Sequence, residues 1–96
     1  MNFYREVRSY DIAQLIESRV RMPSGARLLS VNVRADDMGI ELHALVDRDA
    51  LVVERRIGVV HQFGGSSIDV QVWTHVASVY WPSISSTLHV FDGGEE

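Results

Sequence analysis

Residues 22–33, Met-Pro-Ser-Gly-Ala-Arg-Leu-Leu-Ser-Val-Asn-Val, constrain the fold more than any other stretch, because they state a turn and then the strand it launches. Pro23 fixes its own φ and biases Met22 toward extended geometry, while Gly25 can take a positive φ without steric cost. The spacing predicts a chain reversal there. Leu29, Val31 and Val33 then alternate with Ser30, Asn32 and Arg34, the period of two that turns one face inward and the other to water. Leu28 is expected to break the alternation only at the strand's start.

The same period recurs along the chain. Residues 3–10 read as a first strand with no cleanly apolar face. Residues 11–18 are the one helical candidate, since Ile12, Leu15 and Ile16 share a helix face and Ser9 or Asp11 could cap it; a competing reading extends residues 16–21 as strand into Pro23. Asp36-Asp37-Met38-Gly39 supplies a hairpin turn, after which Ile40, Leu42, Ala44 and Val46 face one side and Glu41, His43 and Leu45 the other. Residues 47–50 form the next loop. Residues 51–63 give a long strand, with Arg55, Ile57, Val59, His61 and Phe63 on one side and Gly58 as a candidate bulge. Gly64-Gly65-Ser66-Ser67 connects it to a β-branched run from Ile68 to Trp81, which Pro82 ends. Residues 85–91 close the pattern.

Six or seven short strands with turn signals every 8 to 12 residues predict an all-β fold, an antiparallel sandwich or open barrel, with a short helix near 11–18 as the one exception. Residues 1–92 read as a single β domain and Gly93-Gly94-Glu95-Glu96 as a flexible acidic tail. Ninety-six residues can bury roughly 65% of their unfolded surface, enough for one core without staples. Cysteine is absent, which fits a reducing compartment. No stretch approaches the ~20 apolar residues of a membrane span and no apolar leader core is visible, so the chain reads as soluble and unexported.

All nine basic residues are arginine. Six fall in residues 1–34 against three acids, and three in residues 35–96 against ten, so the halves carry +3 and −7. Interleaved strands would mix these charges. A net charge of −4 argues against nucleic-acid binding, which leaves a basic footprint.

With the turn and hairpin placed, the chain resembles a family of small, uncharacterised domains found mainly in tailed-phage genomes. The pattern is Met-Pro-x-Gly-Ala-x-x-Leu-Ser-Val at residues 22–31, Ala-Leu-Val-Asp at 44–47, Glu54-Arg55, and a closing His-x-Phe at 89–91. Residues 11–19 look like an insertion, and residues 61–73 depart from a glycine- and proline-rich loop. The resemblance implies a phage or prophage origin and a β fold, and it carries no activity or catalytic residues.

The residues themselves offer few chemical constellations. His43, His61, His75 and His89 lie on different predicted strands at no ligand spacing, so no metal is expected. No serine sits in a nucleophile elbow and no glycine-rich loop opens a helix, so neither a catalytic residue nor a cofactor is expected. Asp36, Asp37, Asp47 and Asp49 fall where turns recruit aspartate. Trp73, Tyr80 and Trp81 are the best binding candidates, because tryptophan, tyrosine and arginine dominate hot spots. Trp81, beside Pro82, is expected to be exposed. With Arg55 and Arg56 they form the expected protein-binding set.

The expected function is a non-enzymatic accessory protein of the host cytoplasm that binds and blocks a host protein or defence complex. The alternatives are an oligomeric sponge for a signalling nucleotide and a minor virion component. Strand edges without lysine also allow a homodimer through a shared edge.

Overall fold

Alternating apolar residues become strands wherever the computed structural model describes the chain, which it does for residues 5–12, 17–62 and 72–96. The described strands are β1 (Arg5–Ile12), β2 (Glu17–Pro23), β3 (Arg27–Val33), β4 (Ile40–Asp47), β5 (Val52–His61), β6 (Thr74–Trp81) and β7 (Ser86–Glu95). They form two antiparallel sheets, one ordered β1-β4-β3 and the other β2-β5-β7-β6. The sheets stack as a sandwich, with β3 against β6, and they do not close into a barrel.

The core comes from one parity of each central strand. Ile40, Leu42, Ala44 and Val46 of β4 are all buried, as their alternation predicts, and meet Ile57 and Val59 of β5 and Leu88 and Val90 of β7. Each large aliphatic side chain so buried contributes roughly 1.5–3 kcal/mol. Sequence halves of opposite charge interleave here: Arg19 of β2 pairs with Glu54 and Glu96, and Arg34 with Asp36 as well as Asp11.

Several local expectations are corrected. Asp11 and Ile12 continue β1, and Glu17 and Ser18 open β2, so the helix expected over 11–18 gives way to the extended alternative that ends at Pro23; residues 13–16 lie outside the described residues. In β3 the register slips between Leu28 and Ser30. Leu28 packs against the core while Leu29 is 43% exposed, the reverse of simple alternation. The break beside β5 falls not at Gly58 but opposite Arg56 and Ile57, where β7 carries Gly93 as an extra residue. The Gly64–Ser67 connection, Phe63, Ile68 and Val70 lie outside the described residues, and Trp73 precedes β6 instead of belonging to a strand.

The Met-Pro-Ser-Gly-Ala motif is a corner between sheets, not a hairpin, since β2 and β3 lie in different sheets. Met22, Pro23 and Ala26 are buried there, and Gly25 has φ +78°, a conformation glycine adopts without steric cost. The end of the chain fastens this corner. Gly25 N–H donates to Glu95 Oε1 at 2.5 Å and the Ser24 hydroxyl to Oε2 at 3.0 Å. Arg55 donates to the Ala26 carbonyl at 3.0 Å and grips Asp92 with two nitrogens at 2.9 and 2.6 Å. The tail expected to be flexible from Gly93 onward is strand through Glu95, because its backbone pairs with Arg55 and Arg56 of β5 and its Glu95 carboxylate is held at the corner.

The opposite end is tied by Asp37. It sits at φ +58° in the β3–β4 turn, a backbone region that aspartate tolerates better than most residues, and accepts from Trp81 Nε1 at 2.6 Å and from the Ser83 hydroxyl. Pro82 ends β6, as expected, by opening the 3-10 turn Pro82–Ile84.

These ties give the fold an acid-sensitive component. The Ser83 and then the Trp81 donors hold Asp37 below its ordinary value of 3.8. The Gly25 N–H, then the Ser24 hydroxyl, hold Glu95 below 4.5. For Asp92 burial is the largest influence and opposes ionisation, but the Arg55 hydrogen bond, the Gly94 N–H and the charges of Arg55 and Arg56 together outweigh it and leave the carboxyl below 3.8. Folded values below unfolded ones mean stability that is present above the unfolded pKa and lost as pH falls through the folded one. The urea midpoint is therefore expected to fall as pH drops below about 4.5, and Glu95→Gln with Asp37→Asn to flatten that acid limb. An acid limb as steep in the double variant as in the parent would refute this assignment.

Candidate binding face

Strand parity divides the expected binding residues between two environments. On β5, Ile57 and Val59 point inward, so Arg56 points outward; Arg55 shares the inward parity and sits in the corner network. On β6, Tyr80 pairs with Thr87 and Trp81 with Ser86, so adjacent residues take opposite faces. Tyr80 is 58% exposed and Trp81 only 5%. The expectation that Trp81 is exposed is therefore corrected: its ring fills the core and its indole N–H is spent on Asp37.

The outer face of the four-stranded sheet gathers the remaining candidates. Arg19 lies opposite Arg56, Arg21 opposite Glu54, His75 opposite Phe91, and Ser78 opposite His89. Phe91 in turn lies opposite Gly58. Trp73 lies over this face: the Arg56 guanidinium stacks on its ring, 5.4 Å from the centroid, a contact in which the cation meets the ring's negative π-face. Arg56 also donates to the Gly93 carbonyl. Gly93 makes room for the indole, since a Cβ added there would lie 2.8 Å from the Trp73 ring. The glycine of the expected tail is thus part of the seat for an aromatic side chain.

Of the five expected residues, Tyr80, Arg56 and Trp73 therefore share the outer face of one sheet, whereas Trp81 and Arg55 are built into packing. His75, Ser78, His89 and Phe91 join the face without having been singled out for it. His75 and His89 are fourteen positions apart in sequence, and only the β6–β7 register brings them together. On the opposite sheet, His43 is occupied by Glu41 at 3.1 Å and Ser9 at 3.4 Å.

The edges bear on self-association. β1 carries the Glu6–Arg8 pair at 2.7 Å, and β2 carries Arg19 paired with Glu96 at 2.9 Å. Charged side chains of this kind discourage edge-to-edge pairing, so arginine serves at these edges where the sequence has no lysine. A depression of about 450 Å³ opens beside β2, and its described lining is Glu17, Ser18 and Arg19. Those groups do not form a nucleophile and base pair.

Among the described residues, no helix is long and apolar enough to cross a membrane. Residues 4–96 match the family model described as "Domain of unknown function (DUF7352)". No curated protein and no solved structure matches the chain.

Proposed function

Because the chain belongs to the DUF7352 family, described as a domain of unknown function, we propose its role from its own surface: a non-enzymatic binding protein that presents the outer face of the β2-β5-β7-β6 sheet to a protein partner. In the phage or prophage setting that its motifs resemble, the partner is a host protein or defence complex in the host cytoplasm. The mechanism is occlusion: a rigid sheet face covers a working surface of the partner.

The observation that carries this reading is the shared face of Tyr80, Trp73, Phe91 and Arg56. Large rings and arginine supply most binding energy at protein interfaces, because they bury much area with few rotatable bonds. Tyr80, Phe91 and Arg56 ride on paired strands, so little backbone entropy is lost on docking. The non-enzymatic part is supported by how the carboxylates are used. Asp36, Asp37, Asp47, Asp92 and Glu95 all accept hydrogen bonds that hold turns or the corner.

Affinity capture of the tagged chain from host cells, with mass spectrometry of both proteins and small molecules, tests the proposal. A host protein recovered in stoichiometric amount is expected. A retained nucleotide with no protein would replace this reading with that of a nucleotide sponge. Recovery only with purified particles would replace it with a virion role.

A further inference from the structure

Three side chains on the outer face of β6 and β7 converge on one point. His75 Nε2 lies 2.9 Å and His89 Nδ1 2.7 Å from the Ser78 hydroxyl oxygen. The two imidazole rings are 6.3 Å apart, centre to centre. The backbone builds this arrangement. A register slip between His75 and Ala77 makes Val76 an extra residue, so His75 and Ser78 share a face that a regular strand gives only to residues an even number apart. His89 stands directly opposite Ser78. Phe91 contacts the His75 ring edge-on at 5.4 Å, which limits its rotation.

We propose that His75 and His89 together bind one divalent transition-metal ion of the zinc, nickel or copper class, at the point their ring nitrogens share with Ser78 Oγ. Neutral imidazole nitrogen suits these ions, whereas calcium and magnesium take oxygen ligands. Zinc sits about 2.0–2.1 Å from a ligating ring nitrogen, so an ion held by both rings occupies the space between them. The Ser78 hydroxyl, which fills that point between the two rings, then turns about its Cβ to make way for the ion. Among the described residues no third His, Cys, Asp or Glu completes a cluster. The remaining positions of a four-coordinate ion therefore face solvent, open to water or to a donor from another molecule. The ion binds whether or not a macromolecule docks on this face.

Calorimetric titration of the intact chain with zinc chloride near neutral pH, alongside NMR of ¹⁵N-labelled histidine rings, tests the site. One zinc per chain is expected, with His75 Nε2 and His89 Nδ1 as the shifted nitrogens. His75→Ala and His89→Ala should each weaken binding at least by the roughly tenfold that loss of an outer-shell partner costs. Ser78→Ala keeps both rings and should stay within about tenfold of the parent. His43→Ala, on the other sheet, should change nothing. Absence of saturable binding, binding that survives loss of both His75 and His89, or binding lost with His43 would overturn the proposal. The ring resonances of the unmutated chain decide the matter even where a variant fails to fold.

Discussion

Arg55→Ala is expected to remove about 3 kcal/mol of stability, the low end of the range for breaking a buried ion pair by deleting one partner, because both groups keep some contact with water. The measurement is the urea midpoint, with the slope unchanged if only stability is altered. The guanidinium is 13% exposed and Asp92 16%, so both charges are mostly removed from water. Deleting Arg55 takes away two of the three donors to the Asp92 carboxylate, the donor to the Ala26 carbonyl, and the charge 3.5 Å from Glu95. Asp92 would keep the Gly94 N–H, which cannot offset a partly buried charge. Asp92→Asn alone should cost less, because the amide oxygen can still accept from Arg55 and Glu95, 3.5 Å away, still balances the guanidinium. Arg55→Lys should recover only part of the loss, since an ammonium cannot make a forked contact to the carboxylate and also reach Ala26. A midpoint in Arg55→Ala close to that of the parent would mean that the corner does not depend on this network.

The second large effect is at Trp81. Trp81→Ala is expected to cost about 3–5 kcal/mol, as for other buried aromatic truncations. It empties a core position and strips Asp37 of the indole donor. Trp81→Phe keeps a six-membered ring in the core but removes the pyrrole part with its N–H donor, and should lose less than Trp81→Ala, about 1.5–3 kcal/mol. Tyr80→Ala, one residue away, should stay within about 0.5 kcal/mol of the parent, as exposed substitutions usually do. Equal losses at Tyr80 and Trp81 would show that the two do not face opposite ways.

Those two neighbours also show what the sequence could reveal. In β4, apolar Ile40, Leu42, Ala44 and Val46 share one parity while Glu41, His43 and Asp47 mark the other, so period and face can be read directly despite Leu45, and the burial follows. In β6 they cannot. The Val76 bulge resets the parity within the strand, and Tyr80 and Trp81 are both aromatic, so composition does not say which is inside. The same holds for Arg55 and Arg56, which are identical in type and differ only in parity. Leu28 and Leu29 fail for the same reason, a bulge between two like residues. A bulge leaves no compositional mark in such runs, because the pairing register of the neighbouring strand decides it.

Long-range closure was hidden for a different reason. Glu95 looked like part of a tail because Gly93-Gly94 has turn-like chemistry, yet Gly93 is the bulge that seats Trp73 and Glu95 is the acceptor for the corner at Ser24 and Gly25. Local propensity cannot see a partner some seventy residues away. The motif residues of the corner are legible only as turn chemistry until Arg55 and Glu95 are placed beside them. They then read as the packing of one corner, which leaves binding to residues outside the motif.

The proposed binding surface is the outer face of the four-stranded sheet. The most direct test compares affinity for the captured partner in two folded double variants. One is Arg56→Ala with Tyr80→Ala; the other is His43→Ala with Asn32→Ala on the outer face of the three-stranded sheet. The first is expected to lose at least about tenfold in affinity, the order of one hot-spot truncation, while the second binds as the parent does. Undiminished binding by the first variant, or loss confined to the second, would contradict it.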